Sequence, residues 1–254
     1  MASRPSRFDE QPDRKLQDHV IYYLTDANLR DGNDDPGFLD CNEAERAQRF
    51  SRFLARRYYR DRLHRGFRYS APLLGSEDTA ANIVDTLGFD LILKSCVLGS
   101  LVTARAVGDL VLSELEGKRS EEWWTELLRY EFAFFVQLAT SEPTPVSSFP
   151  QCSASTLIQE FQFPIPEIVE KLKHGEIPHS RGVSTTLLFS RTHHGRIYVV
   201  QLDAIARAIM HAVNGTRQLA DIAAWVGLSE TETTRVLNDL IRISAVLPPT
   251  NEAA

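Results

Sequence analysis

Ser184-Thr-Thr-Leu-Leu-Phe-Ser-Arg191 and Gly195-Arg-Ile-Tyr-Val-Val-Gln-Leu202, joined by the polar turn Thr192-His-His-Gly195, set the fold of the C-terminal part of this chain. Both runs are rich in β-branched and aromatic residues, and the short polar connection makes them a hairpin. A helix-period segment follows, with Leu202, Ile205, Ala206, Ile209 and Met210 on one face, and it ends at Asn214-Gly215. Thr216 then caps a short helix holding Leu219, Ile222 and Ala223. Ser229-Glu-Thr-Glu232 is a capping box that opens a third helix through Val236, Leu237, Leu240 and Ile241. The Gly227-Leu228-Ser229 turn between the last two is a helix-turn-helix signature. Upstream, Ser155-Thr-Leu-Ile-Gln-Glu-Phe-Gln-Phe163 alternates like a half-buried strand that Pro164 ends. The expected module is a winged helix, βββααα, with an irregular insertion around Ile168 to Leu172.

Its third helix carries the wrong charge for DNA. In a reading helix the first residues approach bases and phosphates. Here they are Glu230, Thr231, Glu232, Thr233 and Thr234, while Asp239 partly offsets Arg235 and Arg242. Two leading carboxylates meet phosphate repulsion, although acids are common at the start of any helix. Such a module still presents Arg196 to Leu202 as an edge strand to which a peptide can add. The peptide-binding candidates are Arg196, Ile197, Tyr198, Val199, Val200 and Gln201, with Thr233, Arg235, Val236 and Asp239 on the helix. Alternation sends one set into the core, either Ile197, Val199 and Gln201 or Tyr198, Val200 and Leu202.

A chain of 254 residues suggests one or two domains, and 43% hydrophobic with 24% charged residues is ordinary for a soluble protein. The net charge of −6 leaves any polyanion to find a local basic patch. Met1-Ala-Ser-Arg-Pro-Ser-Arg7 leads into polar sequence, so no secretory signal is expected. The apolar run from Leu91 to Val97 is broken by Lys94 and is too short to span a membrane. Cys41, Cys96 and Cys152 are odd in number and widely spaced, which suits free thiols in a reducing cytoplasm.

The organisation read from the chain is α+β. Residues 1–16 are expected to be disordered, 17–142 to form a helical domain, 143–151 a linker rich in Pro and Ser, and 152–254 the winged-helix domain. Asp31-Gly-Asn-Asp-Asp-Pro-Gly37 is a turn cluster. A helix from about Asn42 to His64 is expected to place Phe50, Phe53, Leu54 and Tyr58 on one face and Arg49, Arg52, Arg56 and Arg60 on another. The arginine stripe runs on through Arg68 against a single acid, Asp61. It reads either as a docking face for an acidic partner or nucleic-acid backbone, a protein fitting better than DNA, or as a solvated face whose acids come from elsewhere. Glu121-Glu-Trp-Trp-Thr-Glu-Leu-Leu-Arg-Tyr-Glu-Phe-Ala-Phe-Phe135 is the most aromatic helix. Adjacent tryptophans do not share a helix face, so one of Trp123 and Trp124 is expected to point outward, to an interface.

Catalytic signatures are missing from the sequence. The seven histidines show no H-E-x-x-H and the cysteines no C-x-x-C. His193 and His194 sit in a turn where neighbouring side chains are expected to diverge, which reads as solvated. No nucleophile elbow, Walker loop or dinucleotide fingerprint is present. No catalytic or metal-binding residue and no cofactor of its own are therefore expected.

Leu202-Asp-Ala-Ile-Ala-Arg-Ala-Ile209 and Asn214-Gly-Thr-Arg-Gln-Leu-Ala-Asp-Ile-Ala223 resemble the PqqD-like precursor-peptide recognition domain of peptide natural-product pathways. A longer match runs through Leu127-Leu-Arg-Tyr-Glu-Phe-Ala133, Ser155 to Phe163, Leu187-Leu-Phe-Ser-Arg191 and the helices after it. In that order these segments resemble a family of partner proteins of multinuclear non-heme iron-dependent peptide oxidases, as in methanobactin and thiaglutamate biosynthesis. The likeness covers about residues 120–247 and leaves 1–75 unmatched. It implies a cytoplasmic, non-catalytic subunit that forms a heterodimer with the oxidase, which holds the iron, and binds a ribosomal precursor peptide. Docking candidates are Trp123, Trp124 and Arg129 with Arg49, Arg52 and Arg56. The alternative from another class is a winged-helix DNA-binding transcriptional regulator; an unrecognised enzyme is the third.

Overall fold

Helices come first and strands are confined to the C-terminal part, so the chain is α+β. The structure is a computed structural model that describes residues 41–75, 80–95, 97–140, 147–179 and 181–250. The expected disorder of 1–16, the turn cluster at Asp31 to Gly37 and the first part of the expected linker lie outside the described residues. Helix α1 (Cys41–Gly66) is followed by a single turn, α2 (Ala71–Leu74), then a 3-10 segment (Ala80–Asp85), α3 (Leu87–Ser95), α4 (Leu101–Leu115) and α5 (Trp123–Gln137). Next come β1 (Gln151–Cys152), β2 (Leu157–Phe161), α6 (Ile165–Lys173), the hairpin β3 (Thr185–Arg191) and β4 (Ile197–Gln201), then α7 (Ala204–Ala212), α8 (Leu219–Val226), α9 (Glu230–Arg242) and β5 (Val246–Leu247).

The buried stripe of α1 is Ser51, Ala55, Tyr59 and Leu63, one position away from the face expected. This i, i+4 row lets small side chains bring the helix close to its neighbours. Phe50 and Phe53 are left outside, 50% and 57% exposed, with their rings stacked 6.4 Å apart. Helix α5 is the centre of the molecule. It touches α1 and α4 on one side and β3 and α6 on another. Gly108 on α4 permits that approach, because a Cβ there would lie 2.2 Å from the Phe132 ring. With neighbours on several sides, both Trp123 and Trp124 are buried, at 4% and 0% exposure, and the Trp124 indole donates to Leu115 O at 2.9 Å. The expectation that one of them faces outward is corrected.

The main sheet is antiparallel in the order β2-β3-β4. Its middle strand is buried on both faces, from Thr185 to Ser190. Leu187 and Phe189 belong to the same core as the N-terminal helices, whereas Leu188 belongs to a second core with Ile209, Met210, Ile222, Leu237 and Leu240 from α7, α8 and α9. The sheet is thus the middle of three layers. Tyr130 of α5 reaches across one face, with ring centroids 5.6 Å from Phe189 and 6.4 Å from Phe161. Burying two aromatic rings of this kind is worth several kcal/mol.

The expected irregular insertion is helix α6. Pro166 stands in its first turn, where a missing N–H costs nothing, and Ile165, Ile168 and Val169 are buried. The described part of the expected linker is hydrogen-bonded. Gly215 N donates to Pro150 O, Ser147 Oγ to Gly215 O, and Thr250 N to Ser147 O, and β1 pairs with β5. The Ser229 capping box of α9 is present on both sides, and Gly227 ends α8 with a φ of 76°. Thr216 caps nothing; its backbone and hydroxyl bond to Asn214 Oδ1, and α8 begins after Gln218. Among the described residues no helix is long and apolar enough to cross a membrane.

Candidate functional site

Strand β4 forms one edge of the sheet, and its hydrogen-bond phase can be worked out. Leu202 N donates to Thr186 O, and Thr192 N to Arg196 O. In an antiparallel ladder bonded and non-bonded pairs alternate. With Leu188 opposite Val200 and Ser190 opposite Tyr198, the inward-bonding residues are Tyr198, Val200 and Leu202. The N–H and C=O groups of Ile197, Val199 and Gln201 therefore point away from β3, along the open side of the sheet. Among the described residues no strand pairs there.

The side chains of this strand do not divide into one core face and one wet face, contrary to the expectation. Val199 packs against the main core, opposite Phe189, while Val200 lies opposite Leu188 of the second core. Ile197, Tyr198, Val199 and Val200 are all half-buried, and Gln201 is exposed. Arg196, at the start, sets its guanidinium 4.9 Å from the Tyr198 ring. The reason is architectural: helices cover the sheet on both faces, so both sides of an edge strand meet apolar neighbours.

The α9 candidates divide. Thr233 is fully buried and spends its hydroxyl on Ser229 O at 2.9 Å, so it presents nothing to a ligand. Val236 is partly buried against the second core. Arg235 and Asp239 are exposed, and Asp239 is paired with Arg242 at 2.6 Å. The C-terminal end of α9 is held to the sheet by Ser190 Oγ, which donates to Ile243 O at 2.8 Å.

Of the docking candidates, Trp123 and Trp124 are interior. Arg129 is exposed and pairs with Glu126 at 3.0 Å, whose other oxygen accepts from Gln162 N at 2.9 Å. Arg56 makes a two-bond contact with Asp90, and Arg60 another with Asp85. These arginines therefore bind α1 to the acids that follow it. Arg49 and Arg52 are exposed, beside the outward Phe50 and Phe53.

Arg191 is not among the residues that the sequence marks as site candidates. From the end of β3 its Nη1 donates to the carbonyls of Gln137, Leu138 and Thr140 at 3.3, 2.9 and 2.6 Å, capping the C-terminal end of α5. The Gln137 side chain donates to Ser155 O. A lone arginine closing a strand of buried residues was the available signal. Glu131 is fully buried, and its carboxylate accepts from the Tyr69 and Ser70 amides. Burial outweighs those bonds and pushes its carboxyl up to about 7. The His193 and His194 rings do not diverge; their centroids lie 3.6 Å apart at the exposed turn. Among the described residues no three His, Cys, Asp or Glu side chains gather as a metal site. Compared with known proteins, the chain matches no family model and no curated relative.

Proposed function

We propose that this chain is a non-catalytic, cytoplasmic subunit of a peptide-modifying complex, in which the C-terminal part, a winged helix, binds a ribosomally made precursor peptide and presents it to an iron-dependent oxidase. Iron and oxygen chemistry belong to that partner. The observation that carries the reading is the open edge of β4, where three successive outward residues offer backbone donors and acceptors. The acidic start of α9, Glu230 and Glu232, argues against the regulator reading, because phosphate would meet two carboxylates there. With the tryptophans inside, the outward face of α1 around Phe50, Phe53 and Arg52 is the better docking surface for the oxidase.

The test is a titration of labelled candidate precursors, short peptides from whatever reading frames adjoin this gene, against wild type, Val199→Pro and Arg235→Glu, with circular dichroism as the folding control. Val199→Pro removes one outward donor and should weaken binding by about 1 kcal/mol or more, roughly fivefold upward. Arg235→Glu should weaken binding of a segment that is acidic at that point. Unchanged affinity in both folded variants would place the peptide elsewhere, and a sequence-specific DNA footprint at physiological salt would favour the regulator.

A further inference from the structure

The open edge also constrains what kind of segment fits it. In a sheet with one wet face, an edge strand alternates, and so does the strand that adds to it. Here the strand is flanked on both faces. On one side α5 lies along β3, with Tyr130 against Phe189 and its terminal carbonyls on Arg191. On the other side Leu188 shares a core with Leu237 and Leu240 of α9, and Ser190 is tied to Ile243 just beyond that helix. The result is four successive apolar residues, Ile197 to Val200, each half-buried, with Val199 packed on the main core and Leu202, just after them, in the second.

A fourth strand would lie about 4.8 Å beyond β4, and its side chains would pair across with these four. On one face they would meet Ile197 and Val199, on the other Tyr198 and Val200. We propose that the segment recognised by β4 is an extended stretch with an uninterrupted apolar run of about four residues, in contact on both faces, and not one that alternates apolar with polar. This rests on the reading of β4 as the peptide-binding edge. A strand with polar residues at every second position would set one polar row against apolar surface on whichever face it turned, and leave hydrogen-bonding groups without partners.

The probe is a displayed library of random dodecapeptides, selected on the full chain and counter-selected on Val199→Pro, whose open edge lacks its central donor. The expected result is enrichment of sequences with four or more consecutive apolar residues. Resynthesised winners with serine at two alternate positions should bind about tenfold or more weakly, whichever alternate pair is replaced. Enrichment of strictly alternating sequences that Val199→Pro no longer binds would overturn the two-faced inference and leave edge binding standing. No enrichment sensitive to Val199→Pro would overturn edge binding itself, and the inference with it. A wild-type chain that dimerises by light scattering while Val199→Pro does not would overturn it too, since the edge would then serve a second copy.

Discussion

The sheet has two edges, and they are built differently. Strand β2 carries Gln159 and Glu160 in its centre, and Glu160 is paired with Arg207 at 3.1 Å. Its ends are pinned: Thr156 Oγ1 donates to Ala245 O, and Gln162 N to Glu126. Strand β4 carries Ile, Tyr, Val and Val, with no charge between Arg196 and Asp203. Proteins guard exposed edges with charges and tethers because an unguarded edge templates another strand. Among the described residues one edge has these guards, and the other has no charged residue within its strand. An edge left open beside apolar side chains is what strand addition requires, and it is a liability if nothing binds.

The largest effect separates the two sides of β4. Val200→Pro removes a donor that bonds inward to Leu188, so it should cost about 3–4 kcal/mol in a denaturant melt. Val199→Pro removes an outward donor and should cost under about 1 kcal/mol. Equal costs would break the assignment of the ladder's phase. Next in size is a way to loosen the bundle beneath the sheet without touching either edge. Glu131 faces Arg68, Tyr69, Ser70 and Tyr130, and its folded pKa of about 7 stands above the ordinary 4.5. The folded chain therefore holds the extra proton between those values. The associated stability is fully present below about pH 4.5 and lost as pH rises through 7, on the order of 3 kcal/mol. Glu131→Gln, followed by denaturant melts against pH, should flatten that slope.

Arg191→Met, which leaves three carbonyls at the end of α5 without their cationic donor, should cost about 2 kcal/mol and expose the β4 side more than the β2 side to amide exchange. The smallest effect on stability sharpens the comparison most. Glu160→Val gives β2 an apolar edge like that of β4. Its melting should change by no more than about 0.5 kcal/mol, because the ion pair is exposed, while self-association by light scattering should rise. No rise would mean that charge is not what guards β2.

How much of this was legible in the sequence follows from how local each signal is. The hairpin, the order of the three C-terminal helices and the Ser229 capping box depend on neighbours within a few residues, and they are found where expected. Helix α6 is hidden in the sequence because Pro164 looks like a stop, whereas Pro166, just inside, is a helix start. The buried face of α1 was missed because large aromatic residues suggested the core, whereas Ser51 and Ala55 are the ones that fit against its neighbours. The two tryptophans and the two-faced β4 share one cause. Both depend on packing in three layers, and no pattern within a single segment states how many layers will cover it. For the candidate site, Arg196 to Gln201 was legible as an edge, and the inward turn of Thr233 was not.

Residue-resolved amide exchange across β4, in the full chain with and without a bound peptide selected as above, tests the open edge most directly. Tyr198, Val200 and Leu202 should be protected throughout, whereas Ile197, Val199 and Gln201 should exchange quickly in the free chain and become protected when peptide is added. Protection of all six before any peptide is present, or no gain at Ile197, Val199 and Gln201 when it is bound, would contradict it.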